Sequence, residues 1–303
     1  MQKKVVQEKI MQRKVMQGKC CLVTGATDGI GKATARALLQ AGAVVILHGR
    51  DPVKTGNVAE ELRDSGELHT VLADFASLEG VAAMAAELRQ RFGGLDVLVN
   101  NAGLLTDHRQ TSTDGFELTF AVNYLAPCLL TRLLLQLAAI NPSARIINVA
   151  STAMGGGVIN FDDLQCEQSF SGWQAYANSK LANVLFSNVL AEHLETDFAD
   201  LGAVSNSLCP GLIDTNFFHT NTVFANGAYE RMQPGMRTAE EGAAIPVYLA
   251  SDPAAGLING KFFMRQPGYF TATGFLPVDM GWDRDVAHQL WESSSILLSQ
   301  WLS

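Results

Sequence analysis

A single α/β domain is the architecture this sequence predicts: a doubly wound parallel sheet of about seven strands with helices on both faces. Three observations predict it. From Cys20 onward, short apolar runs alternate with helical segments, the pattern of a parallel sheet joined by crossover helices. The first apolar run passes through a glycine-rich turn directly into a helix. No Pro/Gly-rich linker divides the 303 residues into two folding units.

The strand candidates are, in order, "CCLVTG", "AVVILHG", "HTVLAD", "LDVLVN", "ARIINVA", "GAVSNSLCP" and "GKFF". The helical segments among the first six are "GKATARALLQAG", "NVAEELRDSG", "LEGVAAMAAELRQRFG", "TFAVNYLAPCLLTRLLLQLA" and "AYANSKLANVLFSNVLAEHLE". Right-handed crossovers are expected between them. The stretch Thr215 to Arg237, rich in Phe, Asn and Met, reads as a loop with short helices. "TAEEGAAIPVYLAS" and "DVAHQLWESSSILLSQWL" read as the last two helices.

Charge is uneven. Residues 1–19 carry Lys3, Lys4, Lys9, Arg13, Lys14 and Lys19 against Glu8, and the rest holds 16 basic and 29 acidic residues. That acidic body argues against a nucleic-acid surface. The N-terminal pentads "KVVQE KIMQR KVMQG" turn a helix by about 140° per repeat, so their apolar pairs form no stripe. Residues 1–17 are therefore expected to be a solvated, flexible extension, with a weak acidic-surface tether as the alternative; 18–303 form the domain. The best apolar run, around Leu125 to Ile140, is broken by Thr131, Arg132 and Gln136, so no transmembrane segment is expected. Cys20, Cys21, Cys128, Cys166 and Cys209 form no C-x-x-C, which fits a reducing, cytoplasmic setting. The six histidines lack ligand spacing, and no metal is expected.

"CCLVTGATDGIGKATARALL" is the strand, turn and helix of a Rossmann-type dinucleotide site. Gly25 permits the tight turn, Gly29 admits a pyrophosphate to the backbone, and Gly31 lets the helix pack closely. The helix N-terminus presents N–H groups and a positive dipole end. Expected contacts here are Gly25, Thr27, Asp28, Gly29, Ile30 and Gly31. The second strand ends in "LHGRDP", with Gly49 where an NAD site usually carries an acid and Arg50 beside it. A glycine leaves room for a 2′-phosphate and a guanidinium pairs with it, which points to NADP(H). The alternative is a solvated arginine, and Asp51 keeps it open. Asp74 and Phe75 end the third strand; Asn101, Ala102 and Gly103, after Asn100, end the fourth. Ligands bind beyond the carboxyl ends of such strands, though ordinary turn chemistry explains each residue taken alone.

Tyr176 and Lys180, four residues apart in a helical pattern, share a face. A nearby ammonium favours phenolate, lowering a hydroxyl pKa that is ordinarily about 10. Ser151 closes "ARIINVAS" and can hydrogen-bond a substrate oxygen. With "TGATDGIG", "NNAG", "VNYLAP", "NVAS", "YANSK" and "CPGLIDT" in this order, the chain from about Gly18 onward resembles the short-chain dehydrogenase/reductase superfamily. The resemblance implies Tyr176 as acid/base and Lys180 on the nicotinamide ribose. It implies Ser151 as the substrate-orienting serine, and Pro210, Gly211 and Thr215 at the nicotinamide end. It also implies Asn123 as the residue whose backbone carbonyl holds a proton-relay water. Pro127, which has no N–H, removes the helical donor to that carbonyl. A simple helix kink is the alternative.

The segment "VINFDDLQCEQSFSGWQAYANSKLANVLF" looks like the retinol dehydrogenase-like branch, which also holds protochlorophyllide reductase and WW-domain oxidoreductases. That resemblance implies an apolar carbonyl or alcohol substrate. It leaves reduction of an activated C=C bond, or a non-redox ligand-binding role, as alternatives. An insert at about 153–173 is expected to wall the substrate pocket, with Gly155 to Gly157 turning the chain away and Phe170 and Trp173 returning it beside Tyr176. A lid at about 212–237 is expected to bring Phe217, Phe218, Phe224, Tyr229, Met232 and Met236 over it. Ordinary core packing is the alternative for both. A homo-oligomer is compatible with the sequence.

Overall fold

A computed structural model describes residues 15–225, 227–265, 275–278 and 282–302. Their chain order begins β1 (Cys20–Val23), α1 (Gly29–Gln40), β2 (Val44–Gly49), α2 (Pro52–Leu62), β3 (Leu68–Leu72), α3 (Leu78–Phe92) and β4 (Leu95–Asn100). It continues with α4 (Leu118–Gln136), β5 (Ile140–Val149), α5 (Gly172–Thr196), β6 (Val204–Leu208), α6 (Ala239–Ser251), β7 (Phe262–Arg265), β8 (Phe275–Val278) and α7 (Arg284–Leu297). One sheet runs β3-β2-β1-β4-β5-β6-β7-β8. The first seven strands are parallel, and β8 closes the edge antiparallel to β7. The seven expected strands are all present; β8, an apolar run of four residues that contains Pro277, is an addition.

Successive strand residues face opposite layers, as a period of two requires. Cys21, Val23, Val45 and Leu47 pack with Leu38, Leu39, Leu62 and Ile245 on one side. Leu22 and Ile46 pack with Met84, Leu129, Leu134 and Phe186 on the other. Strand order reverses between β1 and β4, whose carboxyl ends therefore open a crevice.

The extension is shorter than expected: Met16 is buried in the core and its N–H donates to the Ala41 carbonyl at 3.1 Å. The basic pentads before Val15 lie outside the described residues. α4 is long and apolar enough to cross a membrane, unlike the sequence expectation, but 89% of its apolar window is buried inside this protein. It reads as a core helix on that burial. A π-helical turn, Ala121–Leu125, interrupts it, and the Ala126 N–H reaches back to the Ala121 carbonyl. α7 is clamped to this turn: the fully buried Tyr124 hydroxyl lies 2.7 Å from Ser294 Oγ.

Candidate active site

The glycine turn is held by close packing. Gly25 and Gly29 have φ of +61° and +49°, the left-handed region that favours glycine. A Cβ on Gly25 would come 2.7 Å from Ala102 Cα. One on Gly31 would collide with the Gly25 carbonyl and Asn101, so this glycine lets α1 approach the sheet as expected. Asp28 caps α1 by accepting from the Gly29 N–H at 2.8 Å.

Two residues that sequence reasoning passed over build this turn. Thr24 Oγ1 accepts the N–H groups of Asn101 at 2.9 Å and Ala102 at 3.0 Å, fastening the ends of β1 and β4 together. His48 Nδ1 accepts from the Gly25 N–H at 3.2 Å and its Nε2 lies 3.0 Å from the Ala73 carbonyl. A carbonyl can only accept, so the ring carries its proton on Nε2. Burial lowers its pKa to about 4, which keeps it neutral. Its ring stacks on Phe75 at 4.5 Å. Phe75 is thus core, and only its backbone is left for a ligand. The signal for both residues was a polar side chain inside an apolar strand motif.

Arg50 is exposed, and among the described residues it has no hydrogen-bond or ion-pair partner. Asp51 is engaged elsewhere: it caps α2 through the N–H groups of Val53 and Lys54. The space expected at Gly49 is taken by the chain itself, because a Cβ there would strike Thr55 Oγ1 and the Thr27 methyl. Asp74 is exposed and accepts from the Ala76 N–H. Asn100 turns into the core, where it donates to Thr131 and Asn148.

Ser151, Tyr176 and Lys180 converge beyond the end of β5. Ser151 accepts from the Ala153 N–H at 3.1 Å and starts a short helix, Thr152–Gly156. Lys180, buried, donates to the Val149 carbonyl at 2.9 Å and lies 5.5 Å from the Tyr176 ring centroid. Burial lowers its pKa to about 8, against a smaller raising by the Cys209 thiol. Burial raises the Tyr176 hydroxyl well above its ordinary value; a hydrogen bond with Ser151 opposes this and Cys209 adds to the rise. The expected lowering by Lys180 is not among these effects; the lysine's hydrogen bond goes to the Val149 carbonyl.

Asn123 is buried within the π turn. Its side chain donates to the Leu104 carbonyl at 2.9 Å and accepts from the Leu104 N–H at 2.8 Å. A Cβ on Gly103 would come 3.2 Å from Asn123 Oδ1 and 3.5 Å from Lys180 Nζ. Gly211, with φ of +101°, turns the chain after Pro210. Thr215 faces Gly29, whose added Cβ would lie 2.9 Å from its methyl. A polar cavity of about 490 Å³ adjoins this contact, lined by Asp28, Lys32, Arg36, Asp214 and His219 among others. It reaches neither Ser151 nor Tyr176.

The lid carries short helices, as expected, and its base is pinched by a parallel bridge between Ile213 and Arg237. Asn216 donates to Asp28 at 2.6 Å, and Thr222 donates to Asp107. Phe217 lies 5.2 Å from Tyr176, ring to ring, and Phe218 and Phe224 pack behind it. Tyr229 sits off this cluster, bonding Asp214 and lying tilted against the His219 ring.

The insert divides. Phe161 and Leu164 pack on the core, and Gln165 accepts from the Glu117 N–H at 2.7 Å, so this part covers the core. Only Trp173 meets Tyr176, at 5.9 Å between rings; among the described residues no ring contact joins Phe170 to it. Gly155 to Gly157 all have ordinary negative φ, and Gly157 serves instead to let the chain touch α5 at Ala177 and Leu181.

A parallel sheet with its crevice at the β1/β4 reversal, a glycine turn and a Ser–Tyr–Lys cluster together describe an oxidoreductase of one class. Residues 19–224 match the short chain dehydrogenase family, and the chain belongs to it. Within that family it falls in the retinol dehydrogenase-like branch. It is 37% identical to retinol dehydrogenase 14 of Homo sapiens over 300 residues, spanning 93% of this chain and 86% of that protein. Among solved structures it is similar to a short chain dehydrogenase from Burkholderia cenocepacia J2315 in complex with NADP. That likeness has a TM-score of 0.66 and 25% identity, over 82% of this chain and 96% of the other. It is also similar to the angucycline C-6 ketoreductase LanV with bound NADP, with a TM-score of 0.63 and 28% identity over 82% and 93% of the two chains.

Proposed function

We propose that this chain is an NADP(H)-dependent oxidoreductase that interconverts an apolar ketone or aldehyde with its alcohol, with Tyr176 as acid/base. The observation that carries the reading is the convergence of Ser151, Tyr176 and Lys180 beside the glycine turn, under an aromatic lid. The names of the relatives, a retinol dehydrogenase and a ketoreductase, support alcohol and carbonyl chemistry.

The residues present fit a dinucleotide. The glycine turn packs against Ala102, Asn101 and Thr215, and what it presents to a dinucleotide is the end of α1, which suits phosphate. Arg50, exposed and without a described partner, suits a 2′-phosphate, while Asp51 is committed to its cap. Asp74 and the Phe75 backbone suit the adenosine end, and Asn101, Ala102 and Gly103 line the crevice. Lys180 suits the ribose, and Pro210, Gly211 and Thr215 the nicotinamide end. Bound NADP(H) supplies the hydride in reduction and takes it up in oxidation.

The chain's own residues handle the proton. Ser151 hydrogen-bonds the substrate oxygen. Tyr176, protonated at neutral pH because burial raises its pKa, gives its hydroxyl proton to that oxygen as negative charge develops there. Trp173, Phe217, Phe218 and Phe224 exclude water and accept an apolar substrate. The test is NADPH oxidation against a panel of apolar ketones and aldehydes. Tyr176→Phe is expected to slow it about 10²–10⁴-fold. Turnover that survives this change would refute the reading.

A further inference from the structure

Ser179 is fully buried and sits between Tyr176 and Lys180 in sequence. Its hydroxyl donates to the Tyr176 backbone carbonyl at 2.7 Å. It also accepts from Asn123 Nδ2 at 3.0 Å. A hydroxyl has a single proton, so these two bonds have fixed directions.

A serine that bonds back to the carbonyl three residues earlier is common in helices and by itself means little. The second bond distinguishes this one. Both Nδ2 protons of Asn123 are placed, one on Ser179 and one on the Leu104 carbonyl, and Oδ1 holds the Leu104 N–H. Two segments meet at this hydroxyl, the turn of α5 bearing Tyr176 and Lys180 and the π turn of α4, and the Asn123 amide carries the link on to the loop after β4. Gly103 brings that loop close to Lys180 Nζ. Apolar packing sets the distance between α4 and α5 but leaves sliding along the interface weakly opposed. Directional hydrogen bonds oppose it, and in a dry interior they do so strongly.

We infer that Ser179 is a positioning residue for the reaction: its hydroxyl bridges the Tyr176 carbonyl to Asn123 and sets the Tyr176–Lys180 turn against the loop after β4. The inference rests on the carbonyl-reductase reading above. Misplacement of a reacting group by a fraction of an ångström slows catalysis without removing any reacting group.

The experiment compares Ser179→Ala and Ser179→Thr in the full chain with NADPH and the best apolar ketone of the panel. Ser179→Ala is expected to lower kcat about tenfold with the NADPH Kd close to the parent value, and to lower the melting temperature by a few degrees because the buried Asn123 Nδ2 loses its acceptor. Ser179→Thr, which keeps the hydroxyl, is expected to recover most of kcat. Parent-like turnover in Ser179→Ala overturns the inference. So does equal slowing in both variants with equal loss of melting temperature, because then volume rather than the hydroxyl matters. If Ser179→Ala does not fold, Ser179→Cys takes its place, and parent-like turnover there is equally fatal. Tyr176→Phe runs alongside: if it stays active, the carbonyl-reductase reading fails, whereas an inactive Tyr176→Phe beside an unimpaired Ser179→Ala rejects the bridge alone.

Discussion

The Phe217 ring lies 5.2 Å from the Tyr176 ring, so the lid after β6 rests directly on the hydroxyl-bearing residue of α5. An apolar substrate that reaches the Tyr176 hydroxyl must pack against Phe217 or displace it. Phe217→Ala is expected to lower kcat/KM for a long apolar ketone about ten- to a hundredfold, and for a small methyl ketone far less. Steady-state kinetics on a homologous ketone series check this.

Trp173 is 46% exposed and meets both Tyr176 and Phe224. It therefore borders the entrance as well as the site. Trp173→Ala is expected to change the ranking of ketones by size. If the ranking is untouched, the end of the insert only covers the core.

Arg50 projects into solvent at the end of β2. Arg50→Asp is expected to weaken NADPH binding about ten- to a hundredfold, the scale of a charge-assisted contact, and to leave NADH nearly unaffected. Fluorescence titration with both cofactors decides it, and equal losses would count against the 2′-phosphate assignment.

Burial brings the Lys180 pKa down to about 8 from an ordinary value of 10.5. The unfolded chain then binds this proton more readily between those two values. Stability from this group should rise with pH from about 8 to the ordinary lysine value, and the penalty of burying the charge is fully present below pH 8. The difference in urea midpoint between the parent and Lys180→Met, followed from pH 7 to 10, is expected to shift in the parent's favour as pH rises.

Pro127 denies the Asn123 carbonyl an α-helical donor four residues on, and Asn123 itself lies within the π-helical turn Ala121–Leu125. Pro127→Ala restores an N–H that can bond this carbonyl. Turnover is expected to fall more than NADPH affinity. Unchanged turnover would leave Pro127 as a source of helix bending only.

The elements and their order were legible because each has a local signature. β1 to β7 read as apolar runs, Gly25 and Gly31 as a turn, and α5 as a long helix with Tyr176 and Lys180 on one face. The insert was only half legible, since Phe161 and Trp173 are both large and apolar and nothing local tells which faces the core and which the site. Gly49 was misread for a related reason. A missing side chain shows that space is needed, and only the fold shows that Thr27 and Thr55 fill it. β8 was missed because its apolar run is only four residues long and contains Pro277, which argues against a strand unless it lies at an edge, as it does here.

By itself the sequence determined the α/β class, the glycine turn and the chain order of Ser151, Tyr176 and Lys180, because periodicity and turn chemistry act between near neighbours. Only the tertiary structure decided that His48 holds the Gly25 amide, that Ser179 bridges Tyr176 and Asn123, and that Phe217 covers Tyr176. Each of these joins segments far apart in the chain, and such contacts depend on how whole helices pack on the sheet.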